Sequence, residues 1–267
     1  MNRQRIYYAL SLAAILAAFM LFELWWSTSE MDSDKEVFEA VSGAVLRPSS
    51  SKNIAISHNH YALSYRPDYE QAEWVAYWLL PQHLTQDDRQ RPYFEIDDKV
   101  PGDSAHWRNF KGSGYDRGHL CPAGDRRFSE QAYNETFFTS NVSPQDREFN
   151  AGIWNRLEQQ IRRWCKRYGD LYIVTGGVLQ PQLEEIGDEG VEVPEYFYKI
   201  VYRPSDEAVV SYLIPNQEQQ LPLSHFEIAV DELEAKTGID FFFQLDPRKQ
   251  AAFESRQKVG KWSYSFN

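Results

Sequence analysis

A short glycine-rich segment near the middle of the chain holds side chains suited to acid–base and phosphate chemistry. It reads Gly112-Ser-Gly-Tyr-Asp-Arg-Gly-His-Leu-Cys-Pro-Ala-Gly-Asp-Arg126. Histidine is the side chain best able to take a proton near neutral pH, so His119 is a candidate general base. Arginine offers a planar fork of donors that suits phosphate, which makes Arg117 and Arg126 candidate phosphate contacts. A base and a cation are two parts that phosphodiester hydrolysis needs.

A second polar segment supplies oxygen atoms for the third part, a metal ion. It runs from Asn141 through Asn150 to Glu158, before and within a strongly predicted helix. Mg²⁺ prefers oxygen ligands and keeps several waters, so one or two protein oxygens are enough to hold it. Asn150 offers an amide oxygen, and Glu158 lies where it could hydrogen-bond to water around the ion. The plain alternatives are a helix-start residue for Asn150 and a solvent-facing residue for Glu158.

These two segments and a third one resemble the DNA/RNA non-specific endonuclease family. Asp116-Arg-Gly-His119 is similar to the family's signature, and the spacing Asn141-x-x-Pro-Gln145, Asn150, Trp154-x-x-Leu-Glu158 is similar to its second block. The segment Val230-x-Glu-Leu-Glu234-x-x-Thr237-Gly238-Ile-Asp-Phe-Phe242 is similar to its closing block. Three blocks in the same order, from about Ala55 to about Pro247, make the resemblance specific.

The resemblance implies the ββα-metal nuclease fold and a distinct role for three residues. His119 would be the general base that activates water. Asn150 would be the direct protein ligand of Mg²⁺, for which Mn²⁺ is a candidate substitute. Glu158 would hold one of the waters around the ion.

The resemblance also implies supporting and phosphate-contacting roles. Asn141 would support the loop that carries His119, and Arg117 would lie near the phosphate. The family's upstream phosphate-contacting arginine falls in the stretch that contains Arg89 and Arg91, and the sequence does not decide between them. Asp116 is expected to be structural rather than catalytic.

The implied activity is hydrolysis of DNA and RNA to 5′-phosphate products without sequence preference. Contacts that are mostly to phosphate carry little sequence information. Two other classes of function remain open: a catalytically silent nucleic-acid-binding module on the same fold, and a phosphodiesterase of small substrates. The intact set of His119, Asn150 and Glu158 favours an enzyme over the silent module.

The net charge of −11 argues against a surface that attracts nucleic acid everywhere. Basic residues nevertheless cluster around the motif and along the helix that follows it. They are Arg108, Lys111, Arg117, Arg126, Arg127, Arg156, Arg162, Arg163, Lys166 and Arg167. We therefore expect a basic groove on an otherwise acidic protein.

The first residues are typical of a membrane helix. Ile6 to Trp26 is an apolar run with Glu23 as its one charge, which is long enough to cross a bilayer. Arginines precede the run and acidic residues follow it, so the positive-inside rule places the rest of the chain outside the cytoplasm. The alternatives are secretion after signal cleavage and a buried core helix.

The elements that must position the site follow from hydrophobic patterning. Strands are predicted near 61–65, 73–80, 115–120, 137–142, 171–175, 196–202 and 209–214, and helices over 152–168 and from 230, where Asp231 is the expected N-cap. Strands and helices do not alternate, which indicates an α+β fold with a mostly antiparallel central sheet and flanking helices. The predicted domain division is a membrane anchor at 1–26, a linker at 27–52 and a nuclease domain at 53–267.

Only two cysteines are present, Cys121 and Cys165. This number excludes a framework of several disulfides and leaves open a single disulfide between the two.

Overall fold

A computed structural model of the chain describes residues 15–21, 47–52, 54–245, 247–254 and 262–264. Residues 15–21 are helical and exposed, and the rest of the predicted anchor and most of the linker lie outside the described residues. Within the described part of the chain, no helix is both long and apolar enough to span a bilayer. The membrane helix in the predicted fold class is therefore wrong, while the linker and domain boundaries stay predictions.

Eleven strands and several helices make up the described residues. The strands are β1 (Ala55–Ser57), β2 (Ala62–Arg66), β3 (Gln71–Leu79), β4 (Asp116–His119), β5 (Val142–Gln145), β6 (Leu171–Gly177), β7 (Glu184–Ile186), β8 (Val191–Val193), β9 (Tyr196–Arg203), β10 (Ala208–Pro215) and β11 (Glu227–Ile228). After the helix at 15–21, the α-helices are α1 (Glu130–Glu135), α2 (Arg147–Phe149), α3 (Asn155–Tyr168), α4 (Val230–Thr237) and α5 (Pro247–Glu254). A π-helix, Asn150–Trp154, joins α2 to α3.

A seven-stranded sheet in the order β1-β2-β3-β6-β9-β10-β11 forms the centre of the fold, and all its pairings are antiparallel. Both faces are covered. On β3, Val75 and Tyr77 belong to the core beneath α3, whereas Trp74 and Trp78 belong to the core that includes α4. Alternate residues of a strand point to opposite faces, so a strand that is buried along its whole length must carry large side chains at every position. The predicted antiparallel sheet is present.

The long helix α3 packs on the sheet through an apolar stripe of side chains spaced three or four residues apart. Leu157, Ile161 and Trp164 are at most 1% exposed. Gly169 ends the helix with a φ of 92°, a left-handed value that favours glycine. The α-helix begins at Asn155, slightly later than the predicted start near 152, because the chain first makes the π-helix over Asn150–Trp154.

Two local predictions are corrected. The segment predicted as a strand at 137–142 ends in a 3₁₀ turn over Thr139–Asn141, and the strand begins only at Val142. At α4 the N-cap position is Ala229, with no side-chain cap, and Asp231 lies inside the first turn.

The two cysteines are buried free thiols. Burial raises the pKa of both Cys121 and Cys165 to about 12. The thiol of Cys165 donates to the carbonyl of Leu79 at 3.3 Å, which ties α3 to β3.

Candidate active site

The ribbon of β4 and β5 carries the candidate catalytic motif, and α2, the π-helix and α3 follow it. His119 pairs with Val142, and Asp116 pairs with Gln145. Gly118 lies so close to the partner strand that an added Cβ would come 2.1 Å from the Gln145 side chain. Glycine is therefore needed here for the close approach of the two strands.

Two arginines and the histidine gather around a pair of phenylalanine rings. The His119 ring lies 5.5 Å from the Phe94 ring and 5.0 Å from the Phe137 ring, measured between centroids. The Cζ atom of Arg117 lies 5.0 Å from the Phe94 centroid. That of Arg91 lies 5.4 Å from Phe94 and 5.5 Å from Phe137. A candidate base and two candidate phosphate contacts thus share one aromatic platform.

The imidazole of His119 is kept neutral by its surroundings. The residue as a whole is partly exposed, but its Nε2 atom is buried and has no hydrogen-bond partner among the described residues. Burial, helped by the positive charge of Arg91, lowers the pKa of His119 to about 4. At neutral pH the ring is therefore uncharged and able to accept a proton.

Asn150 is joined to the strand that ends at His119. Its side-chain Nδ2 donates to Oδ2 of Asp116 at 3.0 Å, which leaves the amide oxygen Oδ1 without a hydrogen bond within the described part of the chain. Both residues are partly exposed. An open amide oxygen beside a carboxylate is a donor set that suits Mg²⁺, so these residues fit a divalent cation.

Asn141 occupies the supporting position that the resemblance implies. It is fully buried, its Oδ1 accepts from the Cys121 amide at 2.8 Å, and its Nδ2 donates to the Cys121 and Thr136 carbonyls at 3.0 and 2.9 Å. The amide of Leu120 also donates to the Asn141 carbonyl. One side chain therefore satisfies the backbone of the loop that directly follows His119.

We expect Asn141→Ala to destabilise the fold by about 2–4 kcal/mol, because it leaves buried backbone groups without partners. Urea unfolding measures this difference. Asn134, an exposed asparagine on α1, is the matched control, and its alanine variant should stay within about 0.5 kcal/mol of the wild type. Equal stabilities for the two variants would contradict the supporting role of Asn141.

Glu158 on α3 belongs to a network of largely buried charges that also includes Arg162 and Asp125. Its Oε2 accepts from Nη2 of Arg162 at 3.3 Å, and Nε of Arg162 donates to Oδ1 of Asp125 at 2.5 Å. Tyr77 donates to the other oxygen of Asp125 at 3.1 Å. Burial raises the pKa of Glu158, and the charges of Lys199 and Arg162 oppose that rise.

Sequence reasoning missed Arg162 as a site residue and counted it only within a basic helix face. Its spacing of four residues from Glu158 was the available signal, because side chains at i and i+4 meet on a helix. Asp125 gave no such signal. Its link to Arg162 is a contact between distant parts of the chain.

The structure separates the two upstream arginines. Arg91 lies on the Phe94 and Phe137 rings. Arg89 instead donates through Nε to the carbonyl of Arg127 at 3.0 Å. The predicted catalytic role therefore has support from the geometry at Arg91 and none at Arg89.

The predicted phosphate contact at Arg126 is corrected. Arg126 is 0% exposed, its guanidinium donates to the carbonyls of Trp78 and Asp125, and it lies 4.7 Å from the Tyr77 centroid. A cation with those partners in the interior braces the fold and does not meet a substrate.

A family profile, curated relatives and a solved structure all show similarity between this chain and nucleases. The DNA/RNA non-specific endonuclease family profile matches residues 42–248. The mitochondrial nuclease EXOG of Danio rerio is 35% identical over 221 residues, which are 76% of this chain and 64% of that protein. The mitochondrial endonuclease G of Caenorhabditis elegans is 34% identical over 224 residues, 76% of this chain and 73% of that protein. A chain in the crystal structure of the EndoG/EndoGI complex is 32% identical with a TM-score of 0.67, covering 73% of this chain and 88% of that one.

The relatives also bear on localisation. The chain spans slightly less than two thirds of the EXOG relative's length. These relatives are named as mitochondrial proteins, and the described residues contain no membrane-spanning helix. The predicted single-pass membrane protein with its catalytic domain outside the cytoplasm is therefore wrong, and the membrane is withdrawn as a predicted partner.

Proposed function

The chain belongs to the DNA/RNA non-specific endonuclease family, a family of metal-dependent phosphodiester hydrolases, and we propose that it is a Mg²⁺-dependent nuclease that cuts DNA and RNA without sequence preference. The observation that supports this most is the grouping of His119, Arg91 and Arg117 on one aromatic platform. Asn150 is hydrogen-bonded to Asp116 on β4, the strand that also carries His119. The residues proposed as base, phosphate contacts and metal ligand therefore all lie on or next to β4, which supports the proposal.

In the proposed reaction His119 does the proton transfer. Because its ring is neutral at pH 7, it can take a proton from a water molecule that attacks the scissile phosphorus. Arg91 and Arg117 hold the phosphate oxygens through charged hydrogen bonds. The water oxygen bonds to phosphorus, the bond from phosphorus to the 3′ oxygen breaks, and the 3′ oxygen takes a proton from a second water molecule, so that the products carry a 3′ hydroxyl and a 5′ phosphate.

The ion would be held by Asn150, with the Asp116 carboxylate beside it. When bound, Mg²⁺ supplies stabilisation of the negative charge that develops on the phosphate. Glu158 would accept hydrogen bonds from water around the ion, and Asn141 keeps the loop after His119 in place. None of these contacts reads a base, so the sequence should not matter, and the proposed reaction needs no 2′-hydroxyl, so DNA and RNA should both be substrates.

The test is an assay of the purified chain on supercoiled plasmid, on RNA and on a small chromogenic phosphodiester, with Mg²⁺ or with EDTA. The proposal expects cleavage of both nucleic acids in Mg²⁺ and none in EDTA. Binding of DNA without cleavage would favour the silent module, and cleavage of the small diester alone would favour the small-substrate phosphodiesterase. Either result overturns the proposed nuclease.

Arg91→Ala should lower kcat/KM on plasmid DNA by about 10-fold or more, since a charged hydrogen bond to phosphate contributes about 1.5–3 kcal/mol. It should also reduce the salt dependence of DNA binding by about one phosphate contact. Steady-state kinetics and binding at several salt concentrations measure both effects. Arg89→Ala is the matched control and should stay within about threefold of the wild type. A larger loss for Arg89→Ala than for Arg91→Ala would reverse the assignment.

A further inference from the structure

A lysine in the middle of the sheet has no evident structural partner. Lys199 on β9 is 0% exposed, and its Nζ forms no hydrogen bond to any part of the chain that the structure describes. The ammonium lies 4.5 Å from the centroid of the Trp154 ring. Burying a charge away from water is costly unless other charges compensate it. Nearby negative charges must therefore compensate the ammonium of Lys199.

The charges that face Lys199 belong to the candidate site. Glu158 and Asp125 are the strongest of them, Cys121 adds a smaller effect, and Arg162 opposes it. With Lys199 included, the set contains two carboxylates, Glu158 and Asp125, and two cations, Lys199 and Arg162, so its positive and negative charges are equal in number. Loss of Lys199 would leave one uncompensated negative charge in a largely buried region, and Glu158 is the carboxylate that Lys199 influences most.

Lys199 also lies beneath the segment that carries the candidate metal ligand. Trp154, which its ammonium contacts, is the last residue of the π-helix that begins at Asn150. Phe197, two residues earlier on the same face of β9, packs against Trp154 at 5.8 Å and against Phe149 at 5.3 Å. Strand β9 thus supports the π-helix through the ring of Phe197 and the ammonium of Lys199.

We propose that Lys199 is a positioning residue, whose buried ammonium supports Trp154 from the sheet and balances the negative charge of Glu158, so that Asn150 and Glu158 hold their places in the site. The inference rests on the proposed nuclease function for its catalytic consequence. It does not rest on that function for the state of Glu158, which can be measured in an inactive protein.

The charge environment of Glu158 agrees with this role. Burial raises the pKa of the Glu158 carboxyl, and the charge of Lys199 is the strongest effect that lowers it, ahead of Arg162 on α3. Asp125, after β4, raises it. Without Lys199 the pKa of Glu158 should rise further, and the carboxylate should take up a proton at a higher pH than in the wild type.

The kinetic test compares Lys199→Met with Lys236→Met in the full chain. Methionine keeps the length of the side chain and removes the charge, and Lys236 is an exposed lysine on α4 that is not among the residues of the expected basic groove. For Lys199→Met we expect kcat at pH 7 to fall by about 10-fold or more while KM changes less than about threefold. We also expect the acid limb of its pH profile to move to higher pH, and Lys236→Met should show neither effect. An unchanged acid limb in Lys199→Met would overturn the proposal.

Infrared spectroscopy tests the protonation of Glu158 without any activity. Over a series of pH values, Lys199→Met should keep an additional protonated carboxyl band to higher pH than the wild type does, and the double variant Lys199→Met/Glu158→Gln should lack that additional band. No difference between Lys199→Met and the wild type, or a difference that remains in the double variant, would overturn the inference. Lys199→Gln, which keeps a polar group, serves if circular dichroism shows that the methionine variant is unfolded. If the wild type had no nuclease activity, the proposed function would be wrong, but the infrared measurement would still test the effect of Lys199 on Glu158.

Discussion

His119→Ala should lower kcat on plasmid DNA in Mg²⁺ by about 100- to 10,000-fold, because a positioned general base contributes a factor of that size. The variant should still fold, since the Nε2 atom of His119 makes no hydrogen bond to any described residue. Its neighbours Phe94 and Phe137 lose one ring contact each. Thermal unfolding and DNA binding at low salt should therefore change little, which separates lost chemistry from lost structure.

A control and a pH profile make this test sharper. His225 is an exposed histidine far along the chain, and His225→Ala should keep full activity. The pKa of His119 is lowered to about 4, so the protonation of His119 itself should remove activity only as the pH falls toward that value, well below the ordinary imidazole value of about 6.5 and below any loss of activity due to Glu158. In Arg91→Ala the acid limb should move to higher pH, because the nearby positive charge is gone. Wild-type turnover in His119→Ala would rule out His119 as the base.

The parts of the fold that repeat a hydrophobic period could be predicted from the sequence. The central strands and α3 were placed within a few residues, because alternate or every-third-to-fourth apolar side chains must face a core. The run at 137–142 was misassigned for a physical reason. Its apolar residues are buried as a strand's would be, but Asn141 turns inward to satisfy the backbone of the His119 loop. The hydrogen bonds between Asn141 and Cys121 join residues 20 positions apart, so the local hydrophobic pattern of the sequence does not indicate them.

The sequence names candidate site residues but not the contacts between them. The motif makes His119 and Asn150 candidates, but the link between Asn150 and Asp116 depends on how the π-helix meets β4. The choice between Arg89 and Arg91 depends on which of them reaches the Phe94 ring. Arg126 carries the same charge as a phosphate contact and lies inside the protein on carbonyl oxygens. Residue type alone does not distinguish a cation that faces solvent from one that braces the interior.

Removal of the candidate metal ligand should be the second large effect. We expect Asn150→Ala to lower kcat in Mg²⁺ by about 100-fold or more, which corresponds to about 2.7 kcal/mol of lost transition-state stabilisation. The variant should also bind Mg²⁺ more weakly by calorimetry, a measurement that does not depend on turnover. Asn216, whose amide bonds to the Pro144 and Pro194 carbonyls, is not a suitable control, whereas the exposed Asn134 is. Asn134→Ala should match the wild type in both measurements.

Asn150→Asp separates a metal ligand from a structural hydrogen bond. The aspartate keeps an oxygen at the position but cannot donate to Asp116, so two carboxylates would face each other across the 3.0 Å that the amide now bridges. In EDTA this like-charge contact should make Asn150→Asp less stable than the wild type. Added Mg²⁺ should then raise its melting temperature by more than it raises that of the wild type, since a cation between the carboxylates removes the repulsion. The alanine variant decides between the two roles: if Asn150 served only to brace Asp116, Mg²⁺ would raise the melting temperature of Asn150→Ala as much as that of the wild type, and Asn150 would have no part in holding the ion.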